Sequence, residues 1–220
     1  MASTVRNGKE VRSRDPERTK AQILEAALTE FAAHGYDGSK IHKIAQRAAC
    51  NSRLIYHYFG SKDDLYLAAL RQIYAEIRDR ESDLNLEALP PSEAIVRLAE
   101  FTFDFFDENG PFVTITRSEN LLGGQFLRQI TEITDISNPL IDKIATVLQR
   151  GVAEGVFRAG VDPLQLYVSI VALSAHHINA AHTLSVTFGT DVMASDWRAA
   201  RRAHVVTLVS SALSKGESSG

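Results

Sequence analysis

Apolar residues recur at three- and four-residue intervals along almost the whole chain, and no alternating apolar–polar stretch of useful length interrupts them. That spacing lays one apolar stripe along a helix, so the sequence predicts an all-α fold. A capping residue followed by proline marks three helix starts, at Asp15-Pro16, Asn138-Pro139 and Asp162-Pro163. Proline suits the first helical position because the N–H it lacks would have no partner there. The first helix is expected over 16–34, with Ile23, Leu24, Ala27, Leu28 and Phe31 as its buried stripe and Gly35 as its end. A short helix follows over 40–48, capped by Ser39, then another over 51–59. A long helix over 61–85 carries Leu65, Ala69, Leu70, Ile73 and Ile77 on its apolar side. Breaks at Pro, Gly or Asn divide the remainder into helices over 92–108, 111–122, 125–135, 139–154, 163–183 and 195–213.

A net charge of -3 argues against nucleic acid only until its distribution is read. Residues 1–62 hold 11 Lys and Arg against 6 Asp and Glu, leaving 13 against 21 for the rest. A basic front supplies the contacts that release counterions from a phosphate backbone, while an acidic rear stays off it. Residues 1–15 read as a disordered basic arm, 16–62 as a helix-turn-helix head and 63–214 as a helical body. The single cysteine, Cys50, cannot form an intrachain disulfide and is read as a small residue packed behind a turn rather than a redox sensor. With no charged-then-apolar leader and no long apolar run, the expectation is a cytoplasmic protein with no membrane partner.

Two short helices joined by a tight turn, with a third packed across them, present one helix to a major groove roughly 12 Å wide. On the 51–59 helix, Ile55 and Phe59 point inward, leaving Asn51, Ser52, Arg53, Tyr56 and His57 toward the groove. Arg53 is the long cation of that face. It can fork onto guanine, a contact that contributes about 1–3 kcal/mol of base discrimination. Ser39, Lys40, His42 and Lys43 flank it from the preceding helix, and Tyr56 and Tyr58 offer hydroxyls to the backbone. Ser61-Lys62-Asp63-Asp64 opens the long helix, with Ser61 as cap and Asp64 completing a capping-box-like pair. The free N–H groups there and the charge of Lys62 suit a phosphate.

Ile44-Ala45 followed by Leu54-Ile55-Tyr56-His57-Tyr58-Phe59-Gly60-Ser61-Lys62-Asp63-Asp64-Leu65 resembles the DNA-binding signature of the TetR family, over residues 17–66. The resemblance implies a DNA contact at His42 and a phosphate contact at Lys62. The family usually has glycine in the turn where this chain has Ala49, which implies an alanine at positive φ. Pro139 onward, with Glu154-Gly155-Val156-Phe157-Arg158, Asp162-Pro163-Leu164-Gln165-Leu166 and His182-Thr183-Leu184-Ser185, is similar to the C-terminal domain of the pyrimidine-utilisation regulator and its relatives. That regulator has an Asn-Arg pair where this chain has Ala180-Ala181, so its ligand is not carried over.

The body's phenylalanines, at 101, 103, 105, 106, 112 and 126, supply mostly core, and polar residues on otherwise apolar helices mark where an effector could sit. The expected pocket residues are Phe101, Phe105, Arg117, Asn120, Tyr167, His176 and Asn179, with Glu119 close by. His176, His177 and His182 are read as core or pocket side chains rather than metal ligands, because neighbouring histidines diverge by about 100° on a helix. No metal, cofactor or catalytic motif is expected. The final two long helices, 163–183 and 195–213, suit pairing with their symmetry mates. The whole reads as a homodimer on double-stranded DNA with a near-palindromic operator, released by an unknown small-molecule effector. The alternatives are a regulator without a ligand trigger, an activator, or a helical carrier or enzyme.

Overall fold

The computed structural model describes residues 15–215, save the side chain of Ile136; the expected arm before Asp15 lies outside the described residues. Among the described residues ten α-helices form: α1 Pro16–Gly38, α2 Ile41–Arg47, α3 Ser52–Phe59, α4 Lys62–Ser82, α5 Pro91–Glu108, α6 Gly110–Leu121, α7 Ile133–Ala153, α8 Pro163–Asn179, α9 Ala181–Phe188 and α10 Ser195–Leu213. Among the described residues there is no strand, only an isolated bridge between Phe157 and Ser214.

Local chemistry explains the starts. The Asp15 carboxylate accepts the Glu17 N–H at 3.1 Å, and the Asp162 carboxylate accepts the Gln165 N–H at 2.7 Å, so both caps ahead of proline work as the sequence predicts. Gly35 breaks α1 at φ 65 rather than ending it, and one further turn carries the helix to Gly38. A Cβ at Gly35 would lie 3.0 Å from Ser118 Oγ, so glycine lets α1 lie close along α6.

Three expected boundaries are corrected. First, α7 begins at Ile133, and Pro139 lies inside it rather than at its start. The turn around it is open to water at Thr134, Asp135 and Asn138. Solvent can therefore satisfy the carbonyl that proline leaves without a donor. Second, no helix spans 125–135. Gly123 and Gly124 take φ values of 66 and 73, and a short 3-10 turn covers Leu127–Gln129. The buried Glu119 carboxylate accepts the N–H groups of Phe126 and Leu127 at 2.7 and 2.9 Å, holding this loop in its own form. Third, the expected 163–183 helix stops at Asn179, because Ala180 leaves helical geometry at φ −111, ψ 17 and α9 starts afresh.

Two cores result. One runs from Ile23, Phe31, Ile44, Ile55 and Phe59 on α1–α3 through Tyr66 and Leu70 on α4 to Phe105, Phe112, Ile115 and Phe126. The helices α1–α3 therefore share packed side chains with α5 and α6 as well as with α4. The second core joins α5, α7, α8 and α10 through Leu98, Phe103, Ile144, Ile170 and Val205. Polar ties reinforce it on two sides. Arg202 forks onto Asp104 at 2.7 and 2.8 Å and reaches Glu100 at 2.9 Å, and Arg198 meets Asp107 at 2.6 Å, fastening α10 to α5. Arg78, Glu81 and Tyr167 tie α4 to α8. The Tyr167 hydroxyl donates to Glu81 at 2.9 Å and accepts from Arg78 at 3.1 Å.

Candidate nucleic-acid interface and ligand clefts

The tight turn between α2 and α3 is built by Cys50 N–H donating to Ala45 O at 3.0 Å while Ala49 occupies φ 49, as the sequence predicts. Cys50 is half-buried against the head core. Asn51 closes the turn, its side chain accepting the Leu54 N–H at 3.0 Å, so its carbonyl oxygen is committed to capping α3. Ile55 and Phe59 face the core, and Leu54 and Tyr58 pack partly against it. The opposite face of α3 leaves Arg53, Tyr56 and His57 exposed, with Ser52 half-buried at its start. Lys40, His42 and Lys43 are exposed beside it.

Ser39 is a correction. It is 1% exposed, and its hydroxyl donates inward to the carbonyls of Glu30 and Gly35 at 3.0 and 2.5 Å, so it locks the end of α1 and is withdrawn from the interface. Nor does it cap α2. The N-cap position is Lys40, whose N–H points at the buried Glu30 carboxylate at 3.5 Å.

At the start of α4, Ser61 Oγ accepts the Asp64 N–H at 3.0 Å and donates to the Asp64 carboxylate at 2.6 Å. Lys62 Nζ is held 4.5 Å above the Tyr36 ring, and the Tyr36 hydroxyl donates to Asp63. Burial, then its hydrogen bond to Asp63, pushes the Tyr36 hydroxyl to about 12. Partial burial, then the charge of Lys40, lowers the Lys62 ammonium from its ordinary value. An ammonium fixed on an aromatic face next to free helix N–H groups is prepared for an anion. Sequence reasoning found Lys62 but missed Tyr36, which holds it from a different helix.

The expected pocket residues do not assemble. Phe105 is buried among Phe101, Phe106 and Phe112, and Phe101 is half-buried. Tyr167 spends its hydroxyl on Arg78 and Glu81, and burial, then Glu81, raises its pKa. Asn120 is exposed and donates to Thr116 O at 3.1 Å, while exposed Arg117 reaches Asn179 O at 3.5 Å. Of the seven, His176 and Asn179 share a cleft of about 490 Å³ along α8 with Arg201. A second cleft of about 350 Å³ lies between α8, α9 and α10 and includes His176 and His177, which the sequence reads as core or pocket side chains, and Trp197, which it does not single out. The break at Ala180 puts His182 on α9, apart from His176 and His177. Among the described residues no group of three His, Cys, Asp or Glu side chains could hold a metal ion. None of their helices is long and apolar enough to cross a membrane.

Comparisons with known proteins agree with this architecture. Residues 23–69 match the family model described as bacterial regulatory proteins, tetR family, and residues 91–209 match that of the tetracyclin repressor-like C-terminal domain. The chain is 32% identical over 182 residues to the HTH-type transcriptional repressor NicS of Pseudomonas putida, covering 83% of this chain and 86% of that protein. It is 29% identical over 178 residues to the HTH-type transcriptional regulator RutR of Escherichia coli, covering 81% and 82%. In structure it is similar to the ketosteroid transcriptional regulator KstR2 of Mycobacterium tuberculosis, with a TM-score of 0.66, 23% identity and coverage of 96% and 100%.

Proposed function

The chain belongs to the TetR family of bacterial transcription regulators, and from that premise we propose that it is a homodimeric repressor that holds a near-palindromic operator and leaves it when a small molecule enters the body. The observation that carries the DNA half is the outward face of α3. Arg53, Tyr56 and His57 stand exposed there with His42 and Lys43 beside them, and Lys62 sits at the start of α4. Residues 16–62 form the reading head and 63–214 the body that takes the ligand and the second copy. Exposed Leu164 and Val168 on α8 and Leu208 on α10 give the apolar face for that copy.

The continuous core supports the switch. Because α1 packs along α6 and shares side chains with α4, a shift of the body is passed to the head by contact rather than through a loose linker. Two heads must fit half-sites about 34–36 Å apart, so a small rotation of each is enough to spoil the match. Coupling of about 1–3 kcal/mol is typical of such switches.

Operator binding of two variants tests the reading. Arg53→Ala should weaken the preferred sequence by about 1–3 kcal/mol and relax the base preference at one position of each half-site. Lys62→Ala should weaken all sequences alike and reduce the salt dependence of binding by about one unit of slope per head. If both variants bind like the wild type, α3 and α4 are not the reading surface.

A further inference from the structure

The cleft between α8, α9 and α10 contains unmet hydrogen-bonding capacity in apolar surroundings. His177 is 2% exposed, its ring stacked on Phe103 with centroids 5.2 Å apart and set against Trp197 at 5.5 Å. Among the described residues, neither of its ring nitrogens makes a well-formed hydrogen bond. Burial, then the charge of Arg201, lowers its pKa, which leaves a neutral imidazole with one donor and one acceptor. Its one weak partner is the Ser174 backbone, and a buried polar group so poorly paired is unfavourable unless something arrives to pair with it.

Arg201 supplies the second half. Its neighbours on α10 are ion-paired, Arg198 with Asp107 and Arg202 with Asp104 and Glu100. Arg201 forms no ion pair among the described residues. One terminal nitrogen donates to Leu173 O at 3.0 Å, while its Nε is buried without a partner. The rest of the lining is mostly apolar, with Leu184, Val192, Trp197 and the 70% exposed Phe188, and His176 and Thr190 add polar atoms. Its volume of about 350 Å³ lies within the range of small-molecule sites.

We propose that this cleft binds a small planar organic anion, its carboxylate on Arg201, its ring against Trp197 and a polar atom within reach of His177. An unpaired guanidinium selects a carboxylate, and aromatic walls select a flat ring. The site deepens the reading of the body as a ligand-binding domain and rests on that reading only for its effect on DNA.

Trp197 is the one tryptophan of the chain and lines the cleft, so its fluorescence reports occupancy in the full-length protein without a label. Benzoate and 2-naphthoate, with benzamide as the uncharged control, are titrated against wild type, Arg201→Gln and His177→Phe, each first checked for a native helical spectrum. The expected result is saturable quenching by at least one carboxylate and about tenfold or greater weakening in Arg201→Gln. Benzamide should bind far more weakly, and His177→Phe should show a smaller loss. Absence of saturable quenching by either carboxylate, or equal affinity in Arg201→Gln, would overturn the site. Operator binding is followed separately with the same compound. Carboxylate binding that depends on Arg201 but leaves operator affinity unchanged supports the site and contradicts the release step, so the two failures are distinguishable.

Discussion

Ala49 is held at φ 49 between the two helices that meet DNA, a region where an L-residue crowds its own carbonyl and glycine does not. Its side chain is exposed, so replacing it removes no packing. Ala49→Gly should stabilise the fold by about 1 kcal/mol in chemical denaturation, the gain from relieved strain exceeding the added freedom of the unfolded chain. Destabilisation would mean that the alanine methyl makes a favourable contact. At this scale the sequence was legible wherever one residue acts on its own neighbours. Asp15, Ser61 and Asp162 cap as read, and Arg53, Tyr56 and His57 face outward because Ile55 and Phe59 face in. It was illegible wherever the partner is set by how the chain folds back on itself. Ser39 turns inward because Glu30 and Gly35 carbonyls await it. Tyr167 is lost to a pocket because Arg78 and Glu81, some ninety positions earlier in the chain, claim its hydroxyl.

At the scale of elements, α10 forms as the periodicity predicts, and α4 follows it from Lys62 to Ser82, while α7 starts six residues before the proline expected to open it. A proline at a helix start is a preference. On a wet turn the cost of placing it inside is modest, so the longer helix is tolerated. The loop at 123–130 departs from a helical pattern because one buried carboxylate, Glu119, offers its backbone a better partner than the helix would. The junction of α7 with α8 depends on close approach. A Cβ at Gly151 would fall 2.0 Å from the Phe157 ring, itself bridged to Ser214 at the end of α10. Gly151→Ala should therefore destabilise the body by about 1–3 kcal/mol in thermal or chemical unfolding, since the buried ring must move. An unchanged midpoint would show that Phe157 repacks freely.

For the whole molecule, the charge asymmetry pointed to a basic front and an acidic rear, but the packing between them was not legible, because a contact between α1 and α6 joins residues about eighty positions apart. In the proposed switch, that packing is the route from the body to α3. The proposed dimer is the other global requirement. Val168, 52% exposed on α8, belongs to the face assigned to the second copy. Val168→Glu should give a monomer by analytical ultracentrifugation and lower operator affinity about 10²-fold or more, because two linked heads bind as one. A dimeric variant would move the interface elsewhere. The central claim, sequence-specific DNA binding by this head, is tested most directly by fluorescence anisotropy of the full-length protein. It is titrated with DNA from upstream of its own gene and with a scrambled duplex across a range of salt concentrations. The account predicts tight binding to the upstream DNA alone, weakening steeply with salt as phosphate contacts require. Equal binding to both duplexes, or none to either, would contradict it.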